Sequence, residues 1–163
     1  MEIPIIITNR CVLDGILKKN YADFFSILKD KRIECNLHEF CGLFNSLEDV
    51  EEIIGIFLGL MRKGISCLWG IYVNDNLIGF IGLLDIPSDT TVFYGLRHEH
   101  RGLGIMTECV VALCQYMSKH EMSPYVYSHV LNSNTASIRV LEKCGFKVND
   151  IYENKIILKK SLV

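Results

Sequence analysis

The sequence has few of the features that mark nucleic-acid-binding and membrane proteins. Its 163 residues carry a formal net charge of −2, and they contain no basic run that could follow a phosphate backbone. No apolar run reaches the length of a membrane-spanning helix, and the N-terminus lacks the pattern of a secretory leader. We therefore expect a cytoplasmic protein that binds neither nucleic acid nor a membrane.

The seven cysteines include no C-x-x-C pair, so neither a zinc knuckle nor a thioredoxin-like motif is indicated. Reduced, mostly buried thiols in the cytosol are the simpler interpretation. Cys35, His38 and Cys41 have the spacing of metal ligands on a helix, but a zinc site would need a fourth ligand. We expect no bound metal.

The chain also lacks internal repeats, linkers and low-complexity segments. Half of its residues are hydrophobic, which is enough apolar surface to build a full core. The length is ordinary for one domain, so we expect residues 1–163 to form a single domain.

Apolar periodicity divides the chain into strands and helices. The predicted helices cover 20–29, 46–64, 103–119 and 134–145. The predicted strands cover 3–7 with a continuation at 11–13, then 66–73, 77–84, 91–96, 125–131, 146–148 and 152–158. The segment 33–45 receives no assignment. Ser46 begins its helix with a capping-box pattern that includes Asp49, and Gly64 is expected to end that helix.

This order of elements predicts the fold class. A helix lies between the strands 91–96 and 125–131, which permits a right-handed parallel crossover. The other neighbouring strands are close enough in sequence to pair as antiparallel hairpins. We predict an α/β fold with a mixed, mostly antiparallel central sheet of about six to seven strands and about four helices on both faces.

The segment 94–108 is the most informative part of the sequence. A strand enters it, the turn Arg101-Gly102-Leu103-Gly104 bends the chain, and a long helix leaves it. Glycines allow a ligand close to the backbone, and the first helical turn has unpaired N–H groups and the positive end of the helix dipole. Together they predict a seat for a phosphate. The spacing matches neither a P-loop nor a dinucleotide-binding loop.

Two motifs resemble one enzyme family. Arg101-Gly102-Leu103-Gly104-Ile105-Met106 is similar to the pyrophosphate loop of the GNAT acetyltransferases, with Met106 in a slot that the general pattern gives to glycine or alanine. The segment 134–146, NTASIRVLEKCGF, resembles the N-x-x-S-x-x-V-L-E-K-x-G-F segment of the branch that contains the ribosomal-protein N-terminal acetyltransferases. The resemblance is specific from about Gly79 to Phe146 and is topological before that.

The resemblance implies acetyl-CoA as co-substrate, with its pantetheine arm between two splayed central strands. Backbone N–H groups near Tyr94 and Leu96 would polarise the thioester carbonyl. The loop would hold the pyrophosphate, Asn134 would cap its helix and bond the cofactor arm, and basic side chains would reach the phosphates. The cofactor-binding residues implied are Tyr94, Leu96, Arg101, Gly102, Leu103, Gly104, Ile105, Met106, Asn134, Ser137, Arg139 and Lys143.

The catalytic groups are less sharply indicated. Many GNAT enzymes use a tyrosine as the acid that protonates the leaving thiolate, but Leu141 stands at the matching position. In the branch that this chain resembles, the serine of the second motif is the proposed donor, which is Ser137 here. A base acting through water could be His129 or Glu99, because imidazole and carboxylate side chains are common proton acceptors in catalysis. His98 and Tyr94 are further candidates.

These observations predict an N-acetyltransferase that transfers acetyl from acetyl-CoA to a primary amine by direct attack in a ternary complex. The acceptor could be a small molecule or a protein N-terminus, and a homodimer is left open. By resemblance, the segment 33–45 borders the acceptor pocket. The alternative is a non-catalytic acyl-CoA-binding sensor with the same fold, and a nucleotide-binding regulator is a weaker one.

Overall fold

A computed structural model describes residues 3–37 and 42–163. Within these residues the chain forms eight strands and five α-helices. The strands are β1 Ile6–Ile7, β2 Val12–Asp14, β3 Cys67–Val73, β4 Asn76–Leu84, β5 Thr91–Leu96, β6 Tyr125–Leu131, β7 Lys147–Ile151 and β8 Lys155–Ser161. The helices are α1 Tyr21–Leu28, α2 Lys31–Asn36, α3 Leu47–Arg62, α4 Ile105–Lys119 and α5 Thr135–Lys143. None of the described helices is long and apolar enough to cross a membrane.

The eight strands form one sheet in the order β1-β2-β3-β4-β5-β6-β8-β7. Only β5 and β6 are parallel neighbours among the described strands, so the predicted mixed, mostly antiparallel sheet is confirmed. The strand count exceeds the prediction because the segment 11–13 does not continue β1. The Thr8 N–H group donates to the Cys11 carbonyl oxygen at 2.9 Å, and this turn folds β2 back against β1.

Helix α2 was not predicted; it begins at Lys31 and extends into the segment 33–45, which received no assignment. Asp30 begins this helix by accepting hydrogen bonds from the N–H groups of Arg32 and Ile33. The helix has six residues and buries only Ile33, so it is too short to show a helical period. His38 and Cys41 lie outside the described residues, and Cys35 is an exposed free thiol.

The sheet separates two hydrophobic cores. One core joins the sheet to α4 and α5, and it contains Val92 of β5 and Val126 of β6. The other core joins the sheet to α1, α2 and α3, and Phe93 packs against it. Because successive side chains of a strand point to opposite faces, neighbours such as Phe93 and Tyr94 face different helical layers.

The central strands β5 and β6 pair only where both begin. Both strands are fully described, and the one pair of residues in register between them is Thr91 and Tyr127. The Tyr127 N–H group donates to the Thr90 carbonyl oxygen at 2.8 Å, and Ser128 Oγ donates to the Val92 carbonyl oxygen at 3.2 Å. Beyond Val92 the strands diverge, while β6 stays paired with β8 along its whole length. A wedge-shaped gap therefore opens toward the carboxyl ends of β5 and β6.

Candidate active site

The predicted phosphate loop lies at the open end of this gap, between β5 and α4. Gly102 and Gly104 have φ angles of 74° and 77°, a left-handed conformation that glycine adopts without strain. Gly104 is the N-cap of α4, and the Glu108 N–H group donates to its carbonyl oxygen at 3.1 Å. The N–H groups of Ile105 and Met106 precede this bond in the first turn, where no intrahelical acceptor exists. The loop has the form of an anion seat.

The backbone of β5 presents polar groups to the gap. The carbonyl groups of Thr90 and Val92 point toward β6, whereas the Arg97 N–H group points toward β4 and donates to the Ile78 carbonyl oxygen at 2.7 Å. Because these directions alternate along a strand, the backbone groups of Tyr94 and Leu96 point into the gap. This is the position that the sequence analysis assigned to a thioester carbonyl.

The Arg101 side chain is held by protein groups instead of extending into solvent. Its Nε atom donates to the Leu96 carbonyl oxygen at 2.9 Å, and its Nη2 atom lies 2.9 Å from Asp30 Oδ1. Burial acts to raise the pKa of Asp30, but the Arg101 guanidinium and the N–H groups of α2 outweigh it and lower that pKa. Arg101 therefore ties the loop to β5 and to the start of α2.

Tyr94 and Ser137 form a hydroxyl pair on the α5 side of the gap. Their side-chain oxygen atoms are 2.7 Å apart, so a hydrogen bond joins β5 to the first turn of α5. Burial raises the pKa of Tyr94 well above its usual value, although the bond to Ser137 acts in the opposite direction. The phenol is thus neutral at physiological pH and keeps its proton.

The remaining predicted residues of α5 divide into buried and exposed positions. Asn134 caps the helix, because its side-chain oxygen accepts from the Ser137 N–H group at 3.3 Å. Leu141, four residues after Ser137 on the same face of the helix, is fully buried in the core. Arg139 and Lys143 are exposed at the surface.

His129 lies on the opposite face of the sheet from the hydroxyl pair. Its neighbour Val130 is buried in the α4–α5 core, so the His129 side chain faces the layer of α1, α2 and α3. There it borders a cavity of about 170 Å³ whose walls also include Leu37 of α2, Phe93 of β5 and Asp85 after β4. The cavity reaches the sheet beside the gap.

The loop candidates for a base are near the mouth of the gap. Glu99 and His98 lie in a short 3-10 helix, His98–His100, and both are exposed. The structure brings neither of them into hydrogen bonding with Ser137 or Tyr94.

Three further residues support the loop, and no role was predicted for any of them from the sequence. Arg10 Nε donates to Glu108 Oε2 at 2.7 Å, Arg10 Nη1 donates to the Leu103 carbonyl oxygen at 2.9 Å, and Thr8 Oγ1 donates to Glu108 Oε1 at 2.6 Å. Glu108 lies in the segment 94–108, in the first turn of α4, but its partners are 98 and 100 positions away in the sequence. No local pattern could have found them.

Among the described residues, no group of three or more His, Cys, Asp or Glu side chains is arranged to hold a metal ion. The polar groups at the gap are instead backbone N–H groups, two hydroxyls and paired guanidinium groups. Such groups suit an anionic ligand and the polarisation of a carbonyl.

Comparison with known proteins decides the family. Residues 10–147 match the family described as the acetyltransferase (GNAT) domain, and this range includes the loop, the gap and the hydroxyl pair. The chain belongs to the GNAT acetyltransferase family. The predicted family and fold class are therefore confirmed.

A GNAT relative is also found among curated proteins. The probable N-acetyltransferase YjcK of Bacillus subtilis strain 168 is 35% identical over 115 residues. The alignment covers 60% of this chain and 63% of the relative, so the chain spans less than two thirds of that protein's length.

Solved GNAT structures share the fold over nearly the whole chain. A RimL ribosomal L7/L12 alpha-N-protein acetyltransferase in complex with coenzyme A superposes with a TM-score of 0.87 and 17% identity, covering 97% of this chain and 98% of that chain. The microcin C7 self-immunity acetyltransferase MccE, in complex with acetyl-CoA and AMP, gives a TM-score of 0.79 and 15% identity, covering 94% and 93%. At such identities the likeness establishes the fold.

Proposed function

We propose that this GNAT protein is an N-acetyltransferase that moves an acetyl group from acetyl-CoA to a primary amine. The observation that carries the proposal is the gap between β5 and β6, which has an anion seat at its mouth and a hydroxyl pair at its side. GNAT relatives bearing the names of N-acetyltransferases support it, as do structural neighbours that contain coenzyme A or acetyl-CoA.

The binding groups follow from the geometry. The N–H groups of the loop, from Gly102 to Met106, would receive the pyrophosphate, with the dipole of α4 adding about 0.3–1 kcal/mol per charge interaction. The pantetheine arm would enter the gap, where the backbone groups of Tyr94 that point away from β4 can bond its amides. The N–H groups of Tyr94 and Leu96 would stabilise the negative charge that develops on the thioester oxygen.

The reaction needs two proton transfers. The neutral amine nitrogen attacks the thioester carbon, so a C–N bond forms and the C–S bond breaks. The proton that the nitrogen loses passes to a water molecule. His129 or Glu99 would act as the base by accepting a proton from that water. The departing thiolate takes a proton from Ser137.

The hydroxyl pair explains how Ser137 could act as donor without useful acidity of its own. Tyr94 lies beside Ser137 and remains protonated, so its O–H group can donate a hydrogen bond to Ser137 Oγ while Ser137 passes its proton to the thiolate. Ser137 then regains a proton from water, which balances the proton that the amine released. The face of α5 that carries Ser137 also carries Leu141, the position of the usual tyrosine in the family. Here a phenol reaches that face from the strand instead of from the helix.

The acceptor side is proposed from the cavity beside His129. Asp85 can attract a cationic amine, and Phe93 and Leu37 supply apolar wall. A small amine and a protein N-terminus both remain candidates. The names of the RimL neighbours favour the protein N-terminus.

Thermal unfolding with and without acetyl-CoA is the first test. Acetyl-CoA at about 100 times its Kd should add about 2.7 kcal/mol to the free energy of unfolding, while ATP and NAD at equal concentration should add little. Release of free thiol with a panel of amines and N-terminal peptides then measures transfer. A shift with acetyl-CoA but no thiol release from any acceptor would contradict the enzymatic part of the proposal.

Two substitutions test the hydroxyl pair. Ser137→Ala should lower kcat by about 10²-fold, a typical contribution of acid–base catalysis, and Tyr94→Phe should lower it by a smaller factor. The Kd for CoA should change little in both. Ser133→Ala and Tyr152→Phe are matched controls at exposed positions and should retain wild-type kcat. Unchanged turnover in Ser137→Ala would remove this residue from the mechanism.

We also propose that residues 1–163 act as a single domain in the cytoplasm. The sheet that runs through the described chain supports the first part. The six described cysteines are free thiols, which suits a reducing compartment and supports the second. The homodimer left open by the sequence stays a prediction.

A further inference from the structure

The turn between β1 and β2 contacts the first turn of α4 through the Glu108 carboxylate. Glu108 Oε1 accepts from Thr8 Oγ1 at 2.6 Å and from the Arg10 N–H group at 2.7 Å, and Glu108 Oε2 accepts from Arg10 Nε at 2.7 Å. Three donors thus hold the carboxylate, and two of the bonds come from one residue. Such charge-assisted bonds are short and about twice as strong as neutral ones.

Arg10 also contacts the loop itself. Its Nη1 atom donates to the Leu103 carbonyl oxygen at 2.9 Å, and its Nη2 atom lies 3.5 Å from the point where a side chain at Gly104 would begin. Leu103 stands between the two glycines with positive φ, so its peptide groups set the direction of the neighbouring N–H groups. One side chain therefore grips both the loop and the first turn of α4.

These Arg10 contacts have two physical effects on the loop. Glycines lose much conformational freedom on ordering, and a fixed carbonyl at Leu103 restricts the orientations of both adjacent peptides. In addition, the Glu108 carboxylate lies in the first turn of α4. Its negative charge interacts favourably with the helix dipole there, but it would repel an anion bound at the same end of the helix. The Arg10 guanidinium beside it neutralises that charge.

We propose that Arg10 is a positioning residue for the pyrophosphate of acetyl-CoA, acting through Leu103 and Glu108. Thr8 completes the arrangement by donating to Glu108 Oε1, the oxygen that also accepts from the Arg10 N–H group. The inference rests on the proposed function, because it concerns how the same site recognises the phosphate-bearing half of its substrate.

Arg10→Met tests this inference with two donors that differ in their phosphates. The KM for acetyl-CoA should rise about tenfold, which corresponds to about 1.4 kcal/mol, with kcat close to wild type. S-acetyl-pantetheine has the same thioester but no pyrophosphate, so kcat/KM for this truncated donor should stay at the wild-type value. Arg10→Lys should recover only part of the affinity, because an ammonium cannot bond Glu108 and Leu103 in the same fork geometry.

Several outcomes would overturn the inference. An unchanged KM for acetyl-CoA, or an equal loss with both donors, would reduce Arg10 to a structural role or none. Arg62→Met, an exposed arginine at the end of α3, is the matched control and should behave as wild type with both donors. If Arg10→Met does not fold, Thr8→Val and Glu108→Gln measure the same selectivity between donors. Failure of the wild type to use acetyl-CoA would contradict the proposed function, and calorimetric binding of CoA to wild type and variants would still test the role of Arg10.

Discussion

Gly104 shows how one residue can control the anion seat. It is the N-cap of α4 with φ 77°. An L-residue such as alanine would be strained by about 1–2 kcal/mol in this left-handed conformation. The residue also directs the first free N–H groups of the helix. A substitution at this position should therefore cost stability and distort the loop at the same time.

Gly104→Ala separates these two effects when it is compared with Gly64→Ala. Gly64 follows α3 with φ 71°, so alanine there has the same backbone strain without a contact to the loop. Both variants should lose about 1–2 kcal/mol of unfolding free energy, but only Gly104→Ala should bind CoA more weakly, by about tenfold. Urea denaturation and calorimetric titration with CoA measure the two quantities. Equal CoA affinity in both variants would mean that the loop conformation does not matter for binding.

At the scale of one element, α3 shows a complete local start signal. Ser46 accepts from the Asp49 N–H group at 3.2 Å, and Asp49 Oδ2 accepts from the Ser46 N–H group at 3.0 Å. This reciprocal pair is the capping box that the sequence predicted. Bonds from the Asn45 and Ser46 N–H groups lower the pKa of Asp49.

Ser46→Ala should reduce the free energy of unfolding by about 1 kcal/mol, because the Asp49 N–H group at the start of α3 loses its side-chain acceptor. Ser26→Ala is the control, since Ser26 is exposed in the interior of α1, where alanine is a good helix former. Equilibrium urea unfolding measures both. A loss in Ser26→Ala as large as that in Ser46→Ala would show that capping does not explain the effect.

At the scale of the whole molecule, acidic side chains join distant parts of the chain. Asp30 links α2 to the loop through Arg101, and Glu108 links α4 to the β1–β2 turn. Burial acts to raise the pKa of Glu108, but hydrogen bonds from Thr8 and Arg10 outweigh it and lower that pKa. The pKa of Asp30 is lowered in the same way.

These lowered pKa values predict how stability depends on pH. A carboxyl group with a lower pKa in the folded state stabilises the fold above its unfolded pKa, about 3.9 for Asp and 4.3 for Glu, and loses that contribution as the pH falls through the folded pKa. The free energy of unfolding should therefore fall when the pH is lowered from about 5 to 3. In Glu108→Gln the fall should be smaller, since one such group is absent. Urea unfolding at several pH values checks this, and an identical slope in the variant would exclude Glu108 as a contributor.

Local patterns predicted most of the fold. The strands 91–96 and 125–131 and the start of α3 depend on interactions within a few residues, so their signals lie in neighbouring residues of the sequence. The short helix α2 was not predicted because only one of its residues, Ile33, is buried, so it shows no helical period. Its remaining start signal is the capping residue Asp30. The separation of β1 from β2 depends on a turn at Thr8, which the apolar run did not indicate.

The sequence by itself determined the family, the sheet with helices on both faces, and the glycine-containing turn before α4 that forms the predicted phosphate loop. These depend on hydrophobic period and on backbone conformations that only certain residues adopt. The tertiary structure decided which side chains meet: Tyr94 with Ser137, Arg101 with Asp30, and Arg10 with Glu108. It also placed His129 and Ser137 on opposite faces of the sheet. These pairs join residues 43 to 98 positions apart. Their geometry is set by the packing of whole elements, which no short sequence pattern records.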